Sequence, residues 1–308
     1  MNRWGEKRYH SMDYDLKQLY GEKVYKITLN GGMTCPNRDG KIGHGGCIFC
    51  STAGSGDFAG PATCSITKQL AMGKENLIKK RPVHSYIAYF QAFTNTYAPV
   101  EYLRQIYMEA IQDPDVQILS IATRPDCLPE DVLQLLEEIN QIKPVWVELG
   151  LQTIHPQTAT YIRRGYPLEV FEEAVNNLRK RNISVITHTI LGLPGENEDM
   201  MLETIDYLNK MDIQGIKLQL LHILKGTDLA LDYEKQPFWS PSMEEYISLL
   251  GTCIERLRPD ITIHRLTGDG PKELLIAPSW TSQKRTVLNT LHRYLKEQDI
   301  WQGKEYHV

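Results

Sequence analysis

The feature that constrains this chain most is a loop that carries three of its six cysteines. The loop runs from Cys35 to Cys50 with the spacing Cys-x11-Cys-x-x-Cys, and glycines precede Cys47. The segment before the loop, residues 24–30, is rich in β-branched and aromatic residues, which predicts a strand. The cysteines therefore follow the C-terminal end of a strand, where parallel α/β folds place their chemistry.

Three thiolates on one loop can hold a metal centre and leave one coordination position open. An iron–sulfur cluster takes thiolate ligands, and a catalytic zinc ion also takes three protein ligands. A disulfide is less expected, because the N-terminus does not resemble a secretory signal and thiols stay reduced in the cytoplasm. The residues alone therefore leave a cluster and a zinc site open, in a chain that we expect to be cytoplasmic.

The rest of the chain alternates between apolar, β-rich segments and amphipathic helical patterns. This alternation predicts an α/β fold with a parallel sheet and right-handed crossovers. The number of repeats fits a partial, TIM-like (β/α)6 barrel better than a closed eightfold one. We expect the barrel at residues 24–265, with an N-terminal extension at 1–23 and a C-terminal extension at 266–308 packed on the barrel.

Length and composition limit the class of protein. With 308 residues, of which 42% are apolar, the chain can bury a sizeable core. No apolar run approaches the length of a membrane span. The formal net charge of −4 gives no global basic signature, so that nucleic-acid binding would need a local basic surface.

Polar residues follow the predicted strands at their C-terminal ends, which meet at one mouth of a parallel barrel. Cys127 stands at such a strand end and could reach a substrate, whereas Cys64 and Cys253 are expected to be packed or idle. The roles of His188 and His222, which also follow strands, stay open. The strand-end candidates include Gln91, Thr94, Asn95, Thr96, Arg124, Asp126, Glu148, Gln152 and the segment 192–196.

The cysteine loop, with Phe49 before its last cysteine, resembles the cluster loop of radical SAM proteins. Its long first gap is similar to that of the Elp3-like group, and the wider sequence, including residues 89–99, resembles the bacterial YtqA/YhcC branch of that group. The resemblance covers nearly the whole chain. It implies a partial barrel, S-adenosylmethionine (SAM), and a 4Fe-4S cluster held by Cys35, Cys47 and Cys50.

The same resemblance implies which residues contact SAM. Gln91 and Thr94 would face its methionine part, although this strand end departs from the common Gly-Gly-Glu form. Glu148 would accept hydrogen bonds from ribose hydroxyls and, as a charged group at the barrel mouth, would contribute little to stability. Further contacts are expected from Gln152 near the cofactor, from Arg164 with the SAM carboxylate unless it is a solvated arginine, and from Phe49, Leu191 and Gly192 beside the adenine.

The resemblance also narrows the function. Elp3-like proteins are associated with the wobble uridine of tRNA, and the YtqA-type branch is implied in converting its 5-carboxymethylaminomethyl group to 5-aminomethyl. We expect reductive cleavage of SAM to a 5′-deoxyadenosyl radical, hydrogen removal from the glycine-derived methylene, oxidation to an imine and hydrolysis. The implied partners are tRNA, an electron donor such as flavodoxin or ferredoxin, and a methyltransferase that acts on the product.

Two other functions stay open at this point. One is a radical SAM enzyme with a small-molecule or protein substrate, and the other is a non-enzymatic zinc or iron–sulfur protein. An RNA-binding surface has only local support, for which solvated charge is an equal explanation. Its first candidate is the C-terminal helix, with Lys284, Arg285, Arg293 and Lys296 close to Trp280.

Overall fold

The computed structural model describes residues 4–54, 56–79, 83–268 and 270–307. Seven strands form one sheet in the order β1-β2-β3-β4-β5-β6-β8, and every neighbouring pair is parallel. The strands are β1 (Tyr25–Leu29), β2 (Tyr86–Phe90), β3 (Val116–Thr123), β4 (Val145–Gln152), β5 (Ser184–Leu191), β6 (Gly215–Leu220) and β8 (Thr262–Arg265). The order places β1 and β8 at opposite edges, so that the curled sheet is an open barrel, and the predicted partial barrel is confirmed.

Helices connect the strands and cover the outside of the sheet. They are α1 (Met12–Tyr20), α2 (Ile66–Ile78), α3 (Val100–Ile111), α4 (Glu130–Asn140), α5 (Pro156–Tyr161), α6 (Leu168–Lys180), α7 (Glu198–Leu208), α8 (Asp228–Lys235), α9 (Met243–Arg256) and α10 (Lys284–Glu297). In α4 the apolar residues predicted at helical spacing, Val132, Leu135, Leu136 and Ile139, are all buried. One amphipathic face of the helix therefore packs on the sheet.

Local signals set the helix starts. The Ser242 side chain accepts from the Glu245 amide while the Glu245 carboxylate accepts from the Ser242 amide, which forms a capping box at the start of α9. Pro129 directly precedes α4 and Pro99 precedes α3, where a fixed φ suits the first turn.

Segments near both ends of the chain are hydrogen-bonded to β8 or to the residues just before it. The Ile263 amide donates to the His10 carbonyl over 2.7 Å. The wholly buried side chain of Gln302 donates to the carbonyls of Arg258 and Ile261 and accepts from the His10 amide, over 2.8 Å each. The proposed division into a barrel and two extensions remains a prediction.

A small antiparallel sheet stands beside the barrel mouth. It pairs β7 (Ile223–Leu224), just after β6, with β9 (Leu275–Ala277). The segment after β8 is thereby held next to the strand ends. Among the described residues, no helix is long and apolar enough to cross a membrane.

Candidate cofactor site

The three cysteines of the first loop line one cavity, which we call the cluster cavity. Its volume is about 190 Å³, and Cys35, Cys47 and Cys50 are each half-buried at its wall. The loop follows β1, so that the cavity lies at the C-terminal ends of the strands, as the sequence predicts.

Two polar side chains keep the loop folded toward the cavity. The Asn37 amide donates to the Arg163 carbonyl over 2.6 Å and contacts the sulfur of Cys47 at 3.5 Å. Arg38 donates to the carbonyls of Cys50 and Ser51. Gly46 has φ 87°, a conformation that favours glycine, and a Cβ there would also lie 2.8 Å from Nε of Arg38.

The donor set fits an iron–sulfur cluster better than a single ion. In the part of the chain that the structure describes, no three His, Cys, Asp or Glu side chains stand together as ligands of one metal ion. A cluster binds each thiolate through a different iron, so that its ligands are spaced more widely. Burial raises the pKa of the Cys47 thiol to about 11 in the metal-free protein, so cluster binding would displace a proton there.

The cavity brings together most of the residues that the resemblance implied. Leu191 and Gly192 do not line it, and Gly192 lies near Trp239 and Pro241 instead. The roles of these residues toward SAM stay predictions. The predicted residues at the wall are Phe49, Gln91, Thr94, Glu148, Gln152 and Arg164.

Two strand ends at this cavity have an unusual backbone. Phe93, after β2, has φ 62°, and Gln152, at the end of β4, has φ 64°. Residues other than glycine rarely adopt this left-handed conformation, and such strain collects at functional sites. In β4 the pairing with β5 also shifts register between Gly150 and Gln152, which re-aims the last side chain of the strand.

Arg164 is not a solvated arginine, and its guanidinium already donates hydrogen bonds within the protein. It is 3% exposed. Its Nε donates to the Tyr166 carbonyl, and its Nη1 donates to the carbonyls of Leu151 and Thr153. A bidentate bond to SAM would therefore cost one of these bonds. The predicted role stays a proposal, but the structure shows Arg164 tying the end of β4 to the turn after α5.

Tyr166 connects this arginine to a second one. Its ring stacks with the guanidinium groups of both Arg164 and Arg124, with carbon-to-centroid distances of 5.0 and 4.9 Å. Arg124 forms a bidentate ion pair with Asp126 and also donates to the Arg164 carbonyl. The stack builds one wall of the cluster cavity from the residue after β3 and from the turn after α5.

Glu148 is the centre of a buried charge network below the cavity. Lys26 and Ser120 both approach its Oε1, at 2.6 and 2.8 Å. His188 approaches Oε2 at 2.8 Å, and Lys217 forms an ion pair with the same oxygen. Lys217 also donates to the Tyr89 hydroxyl over 3.1 Å.

This network corrects one expectation about Glu148. The side chain is wholly buried rather than at an open mouth, and both of its oxygens already accept hydrogen bonds. Burial raises its pKa, but the charges of Lys217 and Lys26 outweigh burial and hold that pKa well below its usual range. Its removal would leave the buried Lys217 and the half-buried Lys26 without their counter-charge, so we expect Glu148 to contribute to stability.

His188 faces the same cavity as a neutral imidazole. Burial lowers its pKa to about 4, and the charge of Lys217 adds to this, while Glu148 opposes it. At neutral pH the ring therefore has one nitrogen that can accept a proton.

Sequence reasoning missed several residues of this network. Lys26, Tyr89 and Lys217 lie inside predicted strands rather than at their ends. A lysine within an otherwise apolar strand was the available signal, because a buried lysine requires a partner. Arg265, at the end of β8, was also missed, although it lines the cavity.

The other cysteines lie away from the cluster cavity. Cys127 lines a separate groove of about 720 Å³ between the cysteine loop, α4 and α6. Cys253 is buried in the main core on α9, as expected. Cys64 is half-buried just before α2 and lines neither space.

Comparison with protein-family models decides the family. A model of the radical SAM superfamily matches residues 37–208, which is more than half of the chain. The chain belongs to the radical SAM superfamily. A model of the radical SAM C-terminal domain matches residues 213–297. The expected cofactors, a 4Fe-4S cluster and SAM, are those of this superfamily, so that the cysteine loop belongs to a radical SAM enzyme.

Individual relatives confirm the branch. The protein YtqA of Bacillus subtilis is 48% identical over 97% of this chain and 93% of its own length. The protein YhcC of Escherichia coli is 40% identical over 93% of this chain and 92% of its own. The solved structure of archaeal Methanocaldococcus infernus Elp3 has a TM-score of 0.68 at 17% identity over 91% of this chain and 64% of that one, which supports the fold alone.

The first prediction of this radical SAM site concerns its ligands. Replacing Cys35, Cys47 or Cys50 by Ala is expected to remove cluster iron and to reduce SAM cleavage to background, because each thiolate binds one iron. Iron analysis and 5′-deoxyadenosine formation measure both effects. Cys64→Ala is the matched control and should keep both. Full iron content in Cys50→Ala would disprove the assignment.

The second prediction concerns the buried carboxylate. Glu148→Gln should lower the free energy of unfolding by about 3–5 kcal/mol, because Lys26 and Lys217 lose their counter-charge. Urea denaturation followed by circular dichroism measures it. Glu138, whose ion pair with Arg104 is exposed, is the control, and Glu138→Gln should leave the midpoint nearly unchanged. Equal midpoints for both variants would show that the network adds no stability.

Proposed function

We propose that this enzyme acts on the wobble uridine of tRNA and converts its 5-carboxymethylaminomethyl group to 5-aminomethyl, on uridine or 2-thiouridine. Partial relatives with tRNA-related names support this choice. A tRNA uridine(34) acetyltransferase of Methanocaldococcus jannaschii is 24% identical over 59% of this chain. A tRNA-2-methylthio-N(6)-dimethylallyladenosine synthase of Fusobacterium nucleatum is 26% identical over 38% of it.

The observation that carries the proposal is a row of three adjoining cavities. The cluster cavity shares Phe49, Gln91, Gln219 and Arg265 with a side cavity of about 140 Å³. The side cavity in turn shares residues with an outer cavity of about 580 Å³. The side cavity and the outer cavity share Phe58, His222 and Gly270. A base inserted along this row would point toward the cysteines.

The outer end of the row is basic. Lys272, Lys284 and Arg285 line the outer cavity and are exposed, and they outnumber Glu273, the one carboxylate among its described lining residues. Phosphates of an RNA loop would find positive charge there, since phosphate contacts supply most of the affinity for nucleic acids. Part of the basic surface expected on α10 thus opens onto the route to the cluster cavity.

The aromatic residue expected to assist this surface has another role. The indole of Trp280 donates to the Pro241 carbonyl over 2.9 Å, and its ring packs on Tyr246 at 5.6 Å between centroids. Its contacts are those of a packing residue. The proposed RNA contact therefore rests on charge rather than on stacking at this position.

The proposed reaction balances as follows. The cluster, held by Cys35, Cys47 and Cys50, would together with SAM supply a hydrogen-abstracting radical, and the methylene between the amine and the carboxylate would lose one hydrogen atom to it. The carbon radical loses one electron to a carrier of the flavodoxin or ferredoxin class and one proton to a base, giving an imine. Water adds to the imine, the carbon–nitrogen bond breaks, and glyoxylate and the aminomethyl nucleoside form.

The chain's own residues have two tasks in this reaction. The arginine–tyrosine stack and Phe49 would keep water away from the reacting carbon, because they close the cavity beside the cysteines. His188, which lines the cavity of the cysteines and is held neutral by burial, offers a proton acceptor there. A cytoplasmic location and a methyltransferase that consumes the amine belong to the same proposal.

The test is conversion in vitro. Enzyme with reconstituted cluster, SAM, a reductant and tRNA bearing the carboxymethylaminomethyl group should yield the aminomethyl nucleoside, glyoxylate and 5′-deoxyadenosine in equal amounts. Nucleoside mass spectrometry and a glyoxylate assay measure the products. Reactions without SAM, and with tRNA that lacks the carboxymethyl group, are the controls. Steady 5′-deoxyadenosine formation with unchanged RNA would contradict the proposed substrate.

A further inference from the structure

One aromatic side chain lies exposed along the row of cavities. Among the described phenylalanine, tyrosine and tryptophan residues, Phe58 is the most exposed, at 58%. It lines both the side cavity and the outer cavity, so it lies where the two adjoin. The other described residues of these three types that are exposed line none of the three cavities, and they are Tyr102, Tyr161, Trp239 and Trp301.

The backbone that carries Phe58 is fixed to the barrel. The hydroxyl of Thr28, on β1, donates to the Phe58 carbonyl over 2.6 Å, and the Gly60 amide donates to the Thr28 carbonyl over 3.2 Å. On the other side of Phe58, Asp57 accepts from the Ser51 hydroxyl over 3.1 Å. The exposed ring therefore extends from a held main chain, which reduces the entropy lost when a ligand binds.

The surroundings of Phe58 indicate what kind of ligand would cover it. A single exposed apolar side chain is common on protein surfaces and by itself indicates nothing. Here the ring lines the same cavity as the exposed side chains of Lys272 and Arg285. An aromatic face next to a basic groove is the arrangement that binds single-stranded nucleic acids, because bases stack on the ring while phosphates contact the cations.

The size of the cavities divides a nucleotide between them. The side cavity, of about 140 Å³, is small beside the outer cavity of about 580 Å³. It suits a single base, whereas the outer cavity has room for sugar and phosphates. A uracil in the side cavity could extend its C5 substituent into the cluster cavity, because the two cavities share lining residues such as Phe49 and Gln91.

We propose that Phe58 stacks on the wobble uracil when the base lies in the side cavity, while Lys272 and Arg285 contact the adjoining phosphates. This inference rests on the proposed function. It adds a contact with the base itself, which phosphate contacts alone do not provide. Stacking would also fix the plane of the base and so the direction in which its C5 substituent extends.

The test removes each partner of the stack in turn. Two anticodon stem-loops, one with carboxymethylaminomethyluridine and one with an abasic ribose at the wobble position, are bound to enzyme that contains cluster and SAM but no reductant. Phe58→Ala should weaken binding of the intact stem-loop by about 5- to 150-fold, as measured for one stacked base. Its affinity for the abasic stem-loop should stay within about twofold of wild type, because the stack is already lost.

Further variants separate stacking from charge and from fold. Phe58→Trp keeps an aromatic face and should bind the intact stem-loop within about threefold of wild type. Trp301→Ala, at an exposed aromatic residue outside the row, should bind as wild type does. Arg285→Gln should weaken both stem-loops and flatten the salt dependence, whereas Phe58→Ala should keep the salt slope. Iron content and circular dichroism verify that each variant is folded.

The outcomes distinguish this inference from the proposed function. If wild-type enzyme with reductant leaves the carboxymethylaminomethyl RNA unchanged, the proposed function is wrong and the inference with it. If the enzyme converts this RNA but Phe58→Ala binds the intact stem-loop as wild type does, the function stands and the stacking site is wrong. Equal weakening of the intact and abasic stem-loops by Phe58→Ala would also overturn the inference, because Phe58 would then contact another part of the RNA.

Discussion

One buried carboxylate organises the interior of this barrel. Glu148 on β4 accepts bonds or ion pairs from Lys26 on β1, Ser120 on β3, His188 on β5 and Lys217 on β6. Each strand can contribute its partner only if the neighbouring registers are correct, since a slip of one residue would turn the side chain to the other face. The network therefore links strand pairing to the floor of the cluster cavity.

The walls of the cavity depend on that floor. The cysteine loop extends from the end of β1, and the stack of Arg124, Tyr166 and Arg164 stands on the ends of β3 and β4. Both are irregular segments that need fixed strand ends beneath them. Arg164 illustrates this, because it satisfies backbone carbonyls at the end of β4 and so builds the cavity whether or not it also contacts SAM.

The parts of the structure that local patterns determine could be predicted from the sequence. The seven strands, the capping box at Ser242 and the cysteine loop follow from periodicity and spacing within short segments. The network around Glu148 and the place of Arg265 could not, because they depend on which side chains meet across strands that are far apart in sequence. The position expected for Glu148 at an open barrel mouth was wrong for the same reason, since its burial comes from all neighbouring strands together.

The central claim is that the cluster cavity directs hydrogen removal to the glycine-derived methylene of the wobble base. Isotope transfer tests it most directly. The substrate RNA carries deuterium only at that methylene, and mass spectrometry measures how much deuterium the 5′-deoxyadenosine contains. The account predicts one deuterium per 5′-deoxyadenosine and none when the label is on the methylene attached to the base. Deuterium from the base-attached methylene instead, or from neither position, would contradict it.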